Sequence, residues 1–80
     1  MEKRVGTVII AIGDREQAPH VNAIISKHSD IVIGRLGLPR HEEKSIISLV
    51  VEGTTDEIGA LTGQLGNLDG VEVKSAVLKQ

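Results

Sequence analysis

Ile31-Val32-Ile33-Gly34-Arg35-Leu36-Gly37-Leu38-Pro39 reads as a strand whose apolar run is broken by two glycines and one arginine. A strand that only needed packing would hold branched residues at Gly34 and Gly37. Interior glycine weakens a strand and marks a bulge, or the close approach of another backbone or a ligand. This strand is therefore expected to do more than pack. Beyond it, Arg40-His41-Glu42-Glu43-Lys44 reads as a charged hairpin loop. Ser45-Ile46-Ile47-Ser48-Leu49-Val50-Val51-Glu52 is the returning strand, apolar on both alternating sets and closed by Gly53.

Working outward toward the N-terminus, Ser29-Asp30 is a turn, and Ala18, Val21, Ile24, Ile25 and His28 recur at helical spacing. The start of that helix has two readings. Asp14 with Gln17 three residues later resembles a capping box, but Pro19 would then lie inside the helix, where it removes a donor and crowds the preceding turn. Either Asp14 to Ala18 forms a turn and the regular helix begins near Pro19, or the first turn is distorted. Before it, Thr7-Val8-Ile9-Ile10-Ala11-Ile12, begun at Arg4 or Val5 and stopped by Gly13-Asp14, is a continuous β-branched run. Such a run signals a strand covered on both faces.

Toward the C-terminus, Thr54 and Glu57 spell a capping box, with Asp56 adding charge suited to a helix N-terminus. Ile58, Leu61, Leu65 and Leu68 make the buried stripe of this second helix, and Gly66-Asn67 ends it. Gly59, Gly63 and Gly66 form another stripe at i, i+4, i+7. Each costs helix propensity, roughly 1 kcal/mol against alanine, so either something packs closely there or the helix is weak. Asp69-Gly70 is a turn, and Val71-Glu72-Val73-Lys74-Ser75-Ala76-Val77-Leu78 is a last strand whose opening alternation suits an edge with one wet face.

The order is β-α-β-β-α-β. Two right-handed crossovers joined by a hairpin give an α+β, ferredoxin-like sandwich: an antiparallel four-stranded sheet with both helices on one face. The first and third strands are then central, and both are apolar on both sides. Helices cover one side only. The other face, with a set such as Val8, Ile10, Ile46 and Val50 or its complement, is expected to be bare and hydrophobic, and patches of that kind mark interfaces. A homo-oligomer follows, with sheets packed face to face or edges joined.

Composition agrees. Eighty residues make a single domain, 1–80, near the lower range in which one core suffices. There is no Cys, Phe, Tyr or Trp, so disulfides and thiolate chemistry are excluded and the core is aliphatic. A net charge of −2 with no basic cluster beyond Lys3-Arg4 argues against direct nucleic-acid binding by this chain. Val8 to Ile12 is too short to span a membrane. Met1-Glu2-Lys3-Arg4 is followed by no signal-peptide core, so a cytoplasmic location is expected.

The element order, the Gly-Asp turn after the first strand and the Gly-Val pair opening the last resemble the ACT-like regulatory domains. More narrowly, Asp14-Arg15-Glu16, Arg35-Leu36-Gly37-Leu38-Pro39, Ile58-Gly59-Ala60-Leu61-Thr62-Gly63-Gln64-Leu65-Gly66 and Gly70-Val71-Glu72-Val73-Lys74 resemble the small proteins named iron-only hydrogenase system regulators. The resemblance spans essentially the whole chain. It implies an ACT-like fold, related to the ligand-binding domain of the nickel-responsive repressor, and a role in transcriptional regulation beside hydrogenase maturation. The closely spaced histidines and the cysteine of the nickel site have no counterparts here, so that metal function does not carry over.

ACT-like domains bind small effectors between the turn after the first strand and a neighbouring subunit. By position this nominates Gly13, Asp14 and Arg15, with Gly34, Arg35 and Gly37 from the second strand. Glycines admit a ligand, a helix N-terminus attracts a carboxylate, and Arg35 can grip one in a bidentate manner. The bland alternative is that Asp14 caps, Arg15 is solvated, Arg35 pairs with a carboxylate across an interface and the glycines are bulges. His20 and His28 lie eight residues apart on one helix, roughly 12 Å, too far to share an ion, and His41 lies in a charged loop. Glu42-Glu43 reads as a hairpin tip and Asp56-Glu57 as helix-start chemistry. No catalytic group, resident metal or cofactor is expected. The expected partners are a second copy as dimer or tetramer, a small-molecule effector, or a protein through which transcription would be reached.

Overall fold

The computed structural model describes residues 2–79, the side chains of Arg40 and His41 excepted. Along Arg4–Ile12 (β1) every second residue is buried: Gly6, Val8, Ile10 and Ile12 point into the core. Lys44–Gly53 (β3) alternates in step, burying Ile47, Leu49 and Val51. These strands are antiparallel neighbours with Ile10 opposite Ile47 and Val8 opposite Leu49. Val32–His41 (β2) flanks β3, and Val71–Val77 (β4) flanks β1, so the sheet order is β2-β3-β1-β4 with every neighbouring pair antiparallel. Ala18–Lys27 (α1) and Thr55–Gly66 (α2) pack on one side, giving the α+β, ferredoxin-like, ACT-like sandwich.

The core between sheet and helices is wholly aliphatic. Val21 and Ile25 of α1, and Ile58, Leu61 and Leu65 of α2, meet Val8, Ile10, Ile12, Ile47, Leu49 and Val51 from the sheet. Ile31, just before β2, is buried among them. With no ring to fill gaps, close approach of backbones does part of the packing. At Gly6 a Cβ would stand 2.8 Å from the Ala76 carbonyl oxygen of β4, so that crossing admits only glycine.

The entry to the first helix resolves as a turn followed by a helix. Asp14 Oδ1 accepts from the Glu16 amide at 3.0 Å over a 3-10 turn at Arg15–Gln17, and α1 then starts at Ala18. Pro19 thereby falls at the second helical position, where its missing N–H is an orphan anyway. The helix stops at Lys27, and His28 Nδ1 lies 2.9 Å from the Ile24 carbonyl. The capping box of α2 is formed as read: Thr54 Oγ1 accepts from the Glu57 amide at 3.1 Å, and Glu57 Oε1 accepts from the Thr54 amide at 2.8 Å.

Three readings change. The set Val8, Ile10, Ile46 and Val50 does not share a face: Ile10 is opposite Ile47, so Val8 and Ile10 turn to the helices while Ile46 and Val50 lie on the open side. The hairpin loop is Glu42-Glu43 alone, because His41 pairs with Lys44. The glycine stripe of α2 has no close neighbour within the chain, since a Cβ at Gly59, Gly63 or Gly66 would meet nothing within 4 Å. Among the described residues, no helix is long and apolar enough to cross a membrane.

Gly63 should therefore be a site of gain. Gly63→Ala is expected to raise stability by about 0.5–1 kcal/mol, read as a higher urea midpoint at constant slope; a loss would mean the position is covered. Glu57 supplies a pH dependence. Its carboxyl is held below the ordinary value of 4.5 chiefly by the Thr54 backbone amide; desolvation opposes that lowering, and the Thr54 side chain and then Lys3 add to it. A carboxylate with a lowered folded value stabilises above its unfolded value, and that contribution is lost as pH falls through the folded one. The stability gap between the parent and Glu57→Gln should thus be full near pH 7 and close as pH falls through the lowered folded value, below 4.5. Thr54→Ala should cost about 1 kcal/mol in the same melts at pH 7.

Candidate functional site

The end of the sheet at which β1 stops gathers three connections. Ile12 is opposite Ser45 on one side and Val71 on the other, so the turn after β1 sits between the β2–β3 hairpin tip and the entry to β4. The Gly13 amide donates to the Gly70 carbonyl at 2.8 Å. Gly70 has φ +74°, and a Cβ there would lie 2.9 Å from Asp14 Cβ, so glycine is required both by the turn and by the contact. On the hairpin side, Glu42 and Glu43 both have positive φ, 50° and 66°, the signature of a two-residue type I′ turn. Ser45 Oγ donates to the Pro39 carbonyl at 2.9 Å and holds the base of the hairpin.

Between the turn and the hairpin lies an open cleft of about 850 Å³, lined by Ile12, Gly13, Arg15, Pro39, Glu42, Glu43, Lys44 and Ser45. Its wall carries two cations and two carboxylates beside the apolar Ile12. Such a lining suits a small polar molecule bearing at least one anionic group. Among the described residues of its wall no nucleophile is paired with a base.

The residues nominated from the sequence separate. Gly13 and Arg15 line the cleft. Asp14, beside them, spends its carboxylate on the cap. Gly34 faces the open side of the sheet opposite Val50, next to a bulge between Val32 and Gly34, and a Cβ there would make only ordinary contact with Val50. Arg35 turns to the helix side, where its guanidinium donates to Asn22 Oδ1 of α1 at 2.7 Å. Gly37 pairs with Ile47, and a Cβ there would meet nothing within 4 Å. In the sequence Glu42, Glu43 and Lys44 read as hairpin loop and Ser45 as the start of the returning strand. The signal that nominates them is topological: in this element order the end of the first strand pairs beside the start of the third.

Among the described residues the histidines form no shared site. His20 Nδ1 lies 2.9 Å from Gln17 Oε1 at the start of α1, and His28 is at its other end; the His41 side chain lies outside the described residues. Among the described residues no group of three His, Cys, Asp or Glu could hold a metal ion.

A second surface is apolar. The side of the sheet away from the helices exposes Val5, Ile9, Leu36, Leu38 and Val50, the last four at 47%, 72%, 48% and 41% of their area. Exposed β-branched and leucine side chains adjoin there across three strands, with Glu72 and Lys74 of β4 at the border.

Residues 4–75 match the family described as "Iron-only hydrogenase system regulator, putative", the TM1266-like proteins. Among solved structures, TM1266 from Thermotoga maritima is 41% identical, with a TM-score of 0.90 over 98% of this chain and 100% of that one. The C-terminal domain of the MgtC protein from Mycobacterium tuberculosis shares the fold at 15% identity and a TM-score of 0.73, over 92% of this chain and 86% of that one. A de novo designed protein, Foldit4, does so at 13% identity and 0.60, over 99% of each chain. No curated protein matches.

The strain in the hairpin is directly measurable. Two non-glycine residues in the left-handed region cost roughly 1–2 kcal/mol each, and Asn-Gly is the pair that type I′ turns prefer. Glu42→Asn with Glu43→Gly is expected to stabilise the chain by about 1–2 kcal/mol in urea melts. An unchanged midpoint would mean that the turn relaxes into another form in solution.

Proposed function

The chain belongs to the TM1266-like family of iron-only hydrogenase system regulators, and from that premise we propose that it is a non-enzymatic regulatory module that senses a small anionic effector at the end of β1. The observation that carries this reading is the cleft wall, where Arg15 and Lys44 flank the Gly13 turn. Gly13 lets a ligand approach the backbone there, Arg15 can grip a carboxylate or phosphate with two parallel hydrogen bonds, and Lys44 adds a second positive charge. Glu42 and Glu43 favour an effector that also carries a cationic group. The cleft is open to solvent, so a neighbouring subunit would complete its burial. Any effect on transcription would pass through a protein partner, as a net charge of −2 with no basic cluster beyond Lys3-Arg4 argues against direct binding to a phosphate backbone.

A second reading draws on the apolar open face: a structural oligomerisation or partner-docking module that works with no effector. Exposed Leu36, Leu38, Ile9 and Val50 favour it. A thermal-melt screen of amino acids, dicarboxylates, nucleotides and divalent metals separates the two. A ligand at a hundredfold excess over its Kd adds about 2.7 kcal/mol to the folded state, on the order of 10–20 °C in a domain of this size. The expected result is a shift with an anionic metabolite that disappears in Arg15→Ala and Lys44→Ala but survives in Arg35→Ala, whose guanidinium is held on the other side by Asn22. A shift lost only in Arg35→Ala would move the site to β2. No shift from any compound would leave the docking reading.

A further inference from the structure

We infer that a second copy of this chain pairs antiparallel along the free edge of β4, on a two-fold axis at Val73, and makes one continuous eight-stranded sheet. The two edges of the sheet are not alike. The register of β2 breaks between Val32 and Gly34 and again between Leu38 and His41, and Pro39 has no N–H to offer, all features that blunt an edge. β4 keeps an unbroken register with β1 from Val71 to Val77 and contains neither proline nor bulge.

The hydrogen-bond phase of β4 shows which groups are free. The Gly13 amide donates to the Gly70 carbonyl, and the Leu78 amide to the Val5 carbonyl. In an antiparallel ladder hydrogen-bonded and non-bonded pairs alternate, so Gly70, Glu72, Lys74, Ala76 and Leu78 spend their backbone groups on β1. Those of Val71, Val73, Ser75 and Val77 point outward to the open edge.

Charge then selects one register. An axis at Glu72 sets two glutamates opposite each other, and an axis at Lys74 sets two lysines opposite. An axis at Ser75 places both charges against Ala76 and Leu78. An axis at Val73 pairs Val71 with Ser75 through outward groups and sets Glu72 opposite Lys74 twice. Both would sit in non-hydrogen-bonded pairs, where side chains stand closest. Within the chain these charges face Ala11 and Ile9 on β1, so the opposite charge each lacks across the strand is supplied by the second copy.

The helix layer fits the same axis. Thr55, Gly59, Thr62 and Gly66 fall at i, i+4, i+7, i+11 on one flank of α2. With right-handed crossovers the helix rotation turns that flank away from α1, toward the β4 edge. The same rotation applied to α1 turns Asn22 toward β2, where it meets Arg35. A two-fold at Val73 therefore brings two α2 helices side by side, with small residues where nothing within the chain comes within 4 Å of a Cβ at Gly59 or Gly66.

Charge reversal tests this on the full chain by sedimentation equilibrium at low ionic strength. The parent is expected to dimerise. Glu72→Lys and Lys74→Glu, each turning two attractive pairs repulsive, should each weaken association about tenfold or more. An equimolar mixture of the two variants should associate again as a heterodimer, and the double variant E72K/K74E should recover the parent behaviour. A parent that stays monomeric at several hundred micromolar would overturn the proposal. So would an assembly indifferent to both reversals, which would assign the interface to the apolar open face, or a mixture that fails to associate.

Discussion

The position of β1 between β3 and β4 is the constraint on which the rest depends. It is the only strand bonded on both sides by elements that lie on opposite sides of α2 in the chain, β3 through Ile10 and Ile47, β4 through Ile10 and Val73. Its inward set supplies the centre of an aliphatic core, and Gly6 lets β4 come close enough to close that core without a ring to fill space. Because both helices lie on one side, the outward set of the same strand has no cover within the chain. A strand apolar on both faces therefore packs with one face and exposes the other. The dual pattern of β1 and β3 thus serves folding with one set and leaves an open apolar face with the other.

The cleft follows from the same strand. Where β1 ends, its two neighbours contribute their own connections, the hairpin on one side and the Gly70 turn on the other. Arg15 and Lys44 line the same cleft, and the 3-10 turn that carries Arg15 delays α1 by one short element, which also settles Pro19 at a position that tolerates it. A smooth helix from Asp14 would have set Pro19 inside it at the cost of a backbone donor. Local chain chemistry thus shapes the wall of the cleft.

Periodicity made the element order, the capping box of α2 and its buried stripe of Ile58, Leu61 and Leu65 legible from the residues. The choice of face was not legible, because in a strand apolar on both sides nothing local tells which alternate set meets the helices. Only register decides that, and it separates Val8 and Ile10 from Ile46 and Val50. Of the residues nominated from the sequence, two line the cleft, Gly13 and Arg15. Both were found through the turn after the first strand. Arg35, nominated by its position in the ACT-like pattern, lies away from that cleft and donates to Asn22, and Gly34 sits beside a bulge. Glu42-Glu43 reads as a hairpin tip from the charged stretch around it, but a two-residue turn was not legible there, since neither residue favours positive φ; the hairpin tightens around them regardless, held by the strands on either side.

Cleft and β4 edge share one backbone contact. The Gly13 amide, at the mouth of the cleft, donates to the Gly70 carbonyl, one residue before β4 begins. A ligand that ordered the Gly13–Arg15 turn would act on the backbone that leads into β4. If effector binding and edge pairing both occur, this bond is the shortest covalent and hydrogen-bonded path between them. Linkage requires any such coupling to be reciprocal: whatever pairing does for the affinity of the cleft, occupation of the cleft does for pairing. Glycine at position 70 then serves two ends, because any side chain there would strain the turn and push Asp14 out of the cap that shapes the cleft.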